Sequence, residues 1–512
     1  MLVAVCAVRC SAPSDRGDAG ASDGGVNGDS GRAEDGGPRD AQHDVGSSLD
    51  SGPAEGRVTF GPLASSGERC RGWDDPPEPL PSPEPPVGRP TVRWVLDLEA
   101  DPLGRGDTGV GALRGVVIGV DETMWSVGPA YGNPGVVAIR DGRIQGRLDG
   151  VAGSLAAAPD GTVFSRVPRG APCGFGCAHE DGSIVNLRAT SEGVARVSSM
   201  RLASSLDETR VRPSLAIGPR GMVFTVVGED RLVATCRGRR VMWSRRLQAD
   251  AHVELASIRT LLVDSEGTLI AHVRSEVPEQ SRIVVLGRNG EILADGDDGR
   301  VVHEIVAGMM DGSAALIGST FSGAERAIAY RSSVAAEEWS SRTVFGPSDL
   351  RLLPDGRALH VSDGPLVAVY SGEGVRSELV SVPEFWHRSL VLGATQGFWF
   401  GAEGERMELR YGPYADVPTS EYDVVEFDVD GWRGGVTQGS DRPVYAAGDG
   451  MALSPSGILY IAAGRYAFAV ATGTETVSNE SCLNAGCNHR RDGRISDVFD
   501  YRMLTEDGGD VE

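Results

Sequence analysis

Two short segments of this chain set a pair of thiols beside an imidazole: Cys173-Gly-Phe-Gly-Cys177-Ala-His179 and Cys482-Leu-Asn-Ala-Gly-Cys487-Asn-His489. Two thiolates and a histidine are three of the four ligands that a zinc site needs. The two spacings differ, however, neither is the two-residue knuckle, and no fourth ligand stands nearby. Local disulfides, Cys173 with Cys177 and Cys482 with Cys487, fit the spacings better, pinning long loops in an oxidising compartment. Neither segment reads Cys-x-x-Cys-His, so covalent haem attachment is not indicated. Cys236 alternates with Leu232 and Ala234 and reads as a small buried apolar residue. Cys70 either pairs with a cysteine at the rim of the fold or stays free.

Other chemistry is sparse. All 49 basic residues are arginine. Without lysine there is no Schiff base, no P-loop and no kinase lysine. Gly-x-Ser-x-Gly and His-Glu-x-x-His are also missing, and the eight histidines are scattered. Asp428 with Asp430, and Asp295 with Asp298, have the look of Ca²⁺ ligands, yet each pair sits in a Gly-bearing segment that reads as a hairpin turn. No catalytic, cofactor-binding or metal-binding residue is assigned, and no cofactor is expected.

The elements that would carry such residues are far clearer. An apolar strand, a tight turn and a second apolar or aromatic strand recur eight times, with Gly in seven of the turns and Glu122 in the weakest copy. The best copy is Leu155-Ala-Ala-Ala-Pro-Asp-Gly-Thr-Val-Phe164. The turn positions are Glu122, Gly161, Gly221, Gly267, Gly312, Gly356, Gly397 and Gly457, a mean of 48 residues apart. That matches a four-stranded propeller blade, and no long helical periodicity competes with it. Each hairpin is followed by a second apolar run, as at 136–139, 184–187, 232–235, 283–286, 328–330, 367–370, 424–427 and 468–471. Calling the four strands A to D, the pattern predicts an all-β fold: a β-propeller of four-stranded antiparallel blades, eight rather than seven. The strand at 91–98 is expected to complete the last blade and remove an exposed edge.

Pro-x-Gly-x-Val-Phe, Arg-Leu-Val-Ala and Gly-x-x-Val-Met-Trp, read along residues 219–243, resemble the repeat of the quinoprotein-like (PQQ-like) propellers, and NHL-type propellers read similarly. The resemblance spans about residues 90–500 and implies the fold rather than an activity. Quinone-binding members hold their cofactor under a vicinal Cys-Cys lid. This chain has no adjacent cysteines, so the resemblance implies a non-catalytic relative.

Residues 11–90 differ in composition. They are rich in Gly, Asp, Ser and Pro, with 15 acidic residues against 7 arginines. The expected organisation is a signal and lipobox segment at 1–10, a disordered tether at 11–90, the propeller at 91–500 and an acidic tail at 501–512. The opening Met1-Leu-Val-Ala-Val-Cys-Ala-Val-Arg-Cys10 resembles an apolar signal region reaching a lipobox, which makes Cys10 the lipidation candidate. Arg9 stands where lipoproteins prefer Gly or Ala, and a cytosolic tail is the competing reading. No run of 18 apolar residues follows. The net charge of −23 argues against nucleic acid and against electrostatic docking on anionic lipid.

Two repeats are long, and their extra length is expected between strands B and C, at 166–182 and 401–422, on one face of the disc. Met407, Tyr411, Tyr414 and Tyr422 suit a protein contact there. The expected function is an exported, envelope-anchored, monomeric platform with a protein partner, touching membrane only through its lipid. The alternative is a small-ligand, glycan or metal-binding propeller, or an enzyme using the central channel.

Overall fold

The described A–B turns at 119–123, 158–162, 218–222, 264–268 and 454–458 close on the same N–H to carbonyl bond. In the second, Gly161 donates its N–H to Ala158 and Ala158 donates to Thr162 across the turn. Gly161 sits at φ 79°, where a Cβ would be strained. The Asp160 carboxylate accepts from both the N–H and the hydroxyl of Thr162. The turns at Asp264 and Ser454 repeat this, each with a side-chain oxygen accepting from the returning strand. In the first repeat Glu122 takes the glycine position at φ 60° and makes the equivalent bond to Gly119.

A computed structural model gives the fold. It describes residues 58–74, 89–98, 113–128, 135–151, 153–167, 182–202, 215–249, 256–276 and 279–297. It also describes the strands between 301 and 427 named below, and residues 450–464 and 466–473. The described residues form eight antiparallel sheets, one per repeat. Sheet one is Arg114–Ile118, Met124–Gly128, Gly135–Arg140 and Arg143–Asp149. Sheet two is Ser154–Ala157, Val163–Arg166, Ser183–Thr190 and Gly193–Arg201. Sheet three is Leu215–Ile217, Met222–Val227, Arg231–Cys236 and Arg240–Ala249. Sheet four is Ser257–Val263, Leu269–Glu276, Glu279–Leu286 and Ile292–Asp297. Sheet five is Val301–Met310, Ser313–Ser322, Glu325–Arg331 and Trp339–Thr343. Sheet six is Leu350–Leu352, Ala358–Val361, Leu366–Tyr370 and Arg376–Ser381. Sheet seven is Leu390–Leu392, Gln396–Glu403, Arg406–Pro413 and Asp423–Phe427. Sheet eight is Met451–Leu453, Ile458–Ala463 and Tyr466–Ala471, with Thr91–Asp97 as its outer strand. The fold is a β-propeller, and the N-terminal strand does complete the last sheet. In five sheets the pairing of C with D slips by one residue near the turn, a bulge that sharpens the local twist.

The core lies between sheets. Separate apolar clusters fill the seams between sheets eight and one, one and two, two and three, and three and four. The seam between seven and eight is aromatic: Phe400 and Phe427 pack on Phe468 at 5.8 and 4.7 Å between ring centres. Tryptophans lock two seams from outside. Trp243, on the outer strand of sheet three, donates Nε1–H to the Arg288 carbonyl at 2.8 Å. Its ring lies so close over Gly290 of sheet four that a Cβ there would fall 2.8 Å away. Trp94, on the outer strand of sheet eight, covers Gly142 of sheet one in the same way.

Two expectations are corrected. In sheet seven strand C is Arg406–Pro413, and the run at 424–427 belongs to strand D. The segment 401–422 is therefore no insertion between B and C. The reason is alternation: Leu409 and Tyr411 face the core while Glu408 and Arg410 pair with each other at 3.2 Å. A search for unbroken apolar runs passes over such a strand. Secondly, the segment 11–90 is not a uniform tether, because residues 58–74 are part of the fold. Val58–Phe60 extends sheet three beyond its outer strand, with Val58 and Phe60 turned into the core.

Trp243→Ala is expected to lower stability by about 3–5 kcal/mol, the usual range for emptying a buried aromatic site. The drop in the urea midpoint, with the slope unchanged, measures it.

Candidate functional site

The best-defined departure from the repeat is the strap formed by residues 58–74 across sheet three. It begins as the extra strand Val58–Phe60 and continues at Ala64–Ser65, which pairs with Ser244 and Trp243. Arg245 donates to the Gly61 carbonyl at 2.6 Å, and Arg240 pairs with Glu68. Cys70 then forms a disulfide with Cys236, with Cα atoms 5.3 Å apart. Arg237, at φ 49° in the C–D turn, donates to the Gly72 carbonyl. It also grips both oxygens of Asp74 at 2.8 and 2.9 Å. Trp73 donates to the Gly218 carbonyl at 3.0 Å and packs edge-on against Phe164 of sheet two at 5.9 Å. The strap thus covers the outer edge of one sheet and ends over the seam with the next.

Cys236 is therefore no inert core residue. It ends strand C, half-buried, where the side chain meets the strap. A usable signal is present in the sequence: outside the leader with Cys6 and Cys10, Cys70 and Cys236 are the two cysteines left over once the local pairs are set aside. The Arg237 guanidinium beside Asp74 holds its carboxyl below the usual carboxylate range, against a smaller opposing effect of desolvation. The charges of Arg237, Arg188 and Arg239 act with the hydrogen bond.

A second cluster joins sheets eight and one. The Tyr460 hydroxyl donates to the Glu122 carboxylate at 3.2 Å and lies 3.1 Å from its backbone carbonyl. Trp94 stands 6.1 Å from the Tyr460 ring. Burial raises the Glu122 carboxyl above its ordinary value, while the hydroxyls of Ser454, Ser456 and Tyr460 oppose the shift. Burial and the Glu122 charge push the Tyr460 phenol well above the ordinary tyrosine range. The group works as a polar latch between the first and last repeats.

The sequence-predicted residues are not assembled into one site. Cys10, Cys173, Cys177, Cys482, Cys487, Tyr414 and Tyr422 lie outside the described residues. Met407 falls on strand C of sheet seven, with its side chain outside the description. Tyr411 is not a loop residue for a partner. It is 5% exposed on that strand, stacked on Phe398 at 6.5 Å. Asp428, Asp430 and Asp298 are outside the described residues, and Asp295 is held by Arg282 at 2.7 and 2.9 Å.

No protein-family model matches the chain, and no curated protein matches it. Among solved structures it is similar to BamB from Moraxella catarrhalis, at 12% identity over 67% of this chain and 97% of that one, with a TM-score of 0.42. It is similar to the C-terminal WD40 domain of Sif2, at 9% identity over 71% and 99%, TM-score 0.41. A third similar structure is BBS1N in complex with ARL6DN, at 14% identity over 64% and 88%, TM-score 0.36. The repeated sheets themselves, rather than these likenesses, define the chain as a β-propeller.

Two outcomes test the site. Replacing Cys70 and Cys236 by Ser is expected to cost about 2–5 kcal/mol. A reductant should lower the melting temperature of the wild type by more than that of the double variant. For Glu122, a raised folded value means that the acid form is favoured by the fold. Its contribution is full below the unfolded value, near about pH 4, and is lost as the pH rises through the folded one. Glu122→Gln should therefore gain on the wild type between about pH 4 and about pH 7. Urea midpoints at the two pH values read the difference.

Proposed function

We propose that the chain is a protein-binding platform, a non-catalytic relative of the quinoprotein-like propellers held at the cell envelope. One observation carries the reading: the propeller docks an extended segment of its own chain along a sheet edge. The strap docks by backbone pairing along a sheet edge, by an aromatic anchor over a seam and by a guanidinium fork on a carboxylate. These are the means by which one protein takes a segment of another. Sheet two presents an outer strand, Gly193–Arg201, with Val197 exposed, and among the described residues no strand pairs with its outer edge.

Export is supported by the Cys70–Cys236 disulfide, since such bonds persist in oxidising compartments. Lipidation at Cys10 would place the platform on a membrane surface. The test is chemical cross-linking in the native host, capture from its envelope fraction and quantitative mass spectrometry. A stoichiometric partner, cross-linked to the rim of sheets two and three, is the expected result. Absence of the chain from the envelope fraction overturns the location, and a chain recovered without a partner overturns the platform.

A further inference from the structure

The turn face over sheets two and three gathers exposed arginines beside the carboxylates of Glu68, Asp74 and Glu192, in a chain whose net charge is −23. Arg71, Arg188, Arg220 and Arg239 are exposed there, and among the described residues none has a carboxylate within ion-pair distance. Their proximity is fixed by shared neighbours. A Cβ on Gly221 would fall 2.5 Å from the Arg71 carbonyl oxygen and 3.3 Å from Cγ of Arg237, and Arg220 precedes that glycine. Arg188 and Arg239 both act on the Asp74 carboxyl that Arg237 grips. The disulfide at Cys70 holds the strap residues in this group.

Backbone conformation points the same way. Arg220 and Arg237 stand at φ 56° and φ 49°, in the left-handed region. Holding a non-glycine residue there carries a backbone cost that glycine would avoid. Arg237 uses its position to present a planar fork to a carboxylate, and Asp74 shows the geometry in place.

We propose that this arginine face binds an acidic segment of a protein partner, a short stretch of Asp and Glu side chains. The inference rests on the platform reading and names its partner's chemistry. A long polyanion is disfavoured, because it would lie across the acidic remainder of the chain. A short acidic segment stays within about 8 Å of the guanidiniums, inside the screening length at physiological salt, and so is governed by the local charge.

The probe is a fluorescein-labelled Glu-Gly repeat peptide, with the Gln-Gly repeat as its neutral counterpart, titrated with the full chain at low salt. The Glu peptide should bind, the Gln peptide should not, and added salt should weaken binding. The triple variant Arg71→Gln, Arg188→Gln, Arg239→Gln should bind about tenfold more weakly at an unchanged melting temperature. Arg143→Gln, on the same face of sheet one, should bind as the wild type does. Arg188→Glu alone, at an exposed position, gives the same direction should the triple variant melt early. Equal binding of the two peptides, or full binding by the triple variant and by Arg188→Glu, overturns the proposal. So does tighter binding of duplex DNA or of phosphatidylserine vesicles. None of these results touches the platform reading, because the cross-linking capture detects a partner on any face.

Discussion

A four-stranded sheet that is apolar on both faces cannot exist alone in water. Strand B of sheet three, Met222–Val227, is buried at every residue, and so is Ile458–Ala463 of sheet eight. Alternate residues of one strand belong to different cores: Phe224 and Val226 pack toward sheet four, Val223 and Val227 toward sheet two. Each sheet therefore needs a neighbour on either side, and the only way to satisfy that need throughout a chain of repeats is to return to the start. The pairing of Thr91–Asp97 with Tyr466–Ala471 performs the return. It ties the first described strand of the repeat region to its last, and the Glu122–Tyr460 contact stands across the seam between that sheet and sheet one.

Radial packing of this kind leaves outer strands as edges, and this protein deals with two of them differently. On sheet eight the N-terminal strand is itself the edge, with Val92 and Val95 exposed. On sheet three the edge is covered, since Val58–Phe60 adds backbone pairs beyond strand D and the strap runs on to the disulfide. A short added strand is a weak attachment alone. Here the disulfide, Trp73 and the fork of Arg237 on Asp74 fix its far end, so the pairing need not hold the strap unaided.

How much was legible follows from the length scale of each signal. The eight A–B strand pairs fall at the eight expected turn positions, seven glycines and Glu122, because a turn and its flanking strands are encoded within about ten residues. Strand C of sheet seven was lost, since Glu408 and Arg410 break the apolar run that would announce it. The Cys70–Cys236 bond spans 166 positions and leaves no local trace. Composition misled for the strap: its Gly, Ser and Arg residues read as tether. The apolar contribution comes from only a few positions, Val58, Phe60 and Trp73, which find their cores on sheet three and its seam with sheet two. The candidate site was therefore nearly invisible, being assembled from a weakly apolar segment and the turns of a distant repeat.

The departures from the repeat also cluster by position. The four described non-glycine residues with positive φ are Glu122, Asp141, Arg220 and Arg237, and all lie in A–B or C–D turns. Those turns share one face of the disc, so the backbone cost is confined to that face. Turn geometry by itself calls for Gly, Asn or Asp at such places. Asp141 satisfies that preference. Glu122 and the two arginines do not, and each of the three has an added circumstance: a buried latch, a gripped carboxylate, or an exposed guanidinium beside it. The repeat supplies a frame whose turns are nearly interchangeable. What is individual about this chain is written where side chains replace the glycines on one face, and where the strap is fastened to that face.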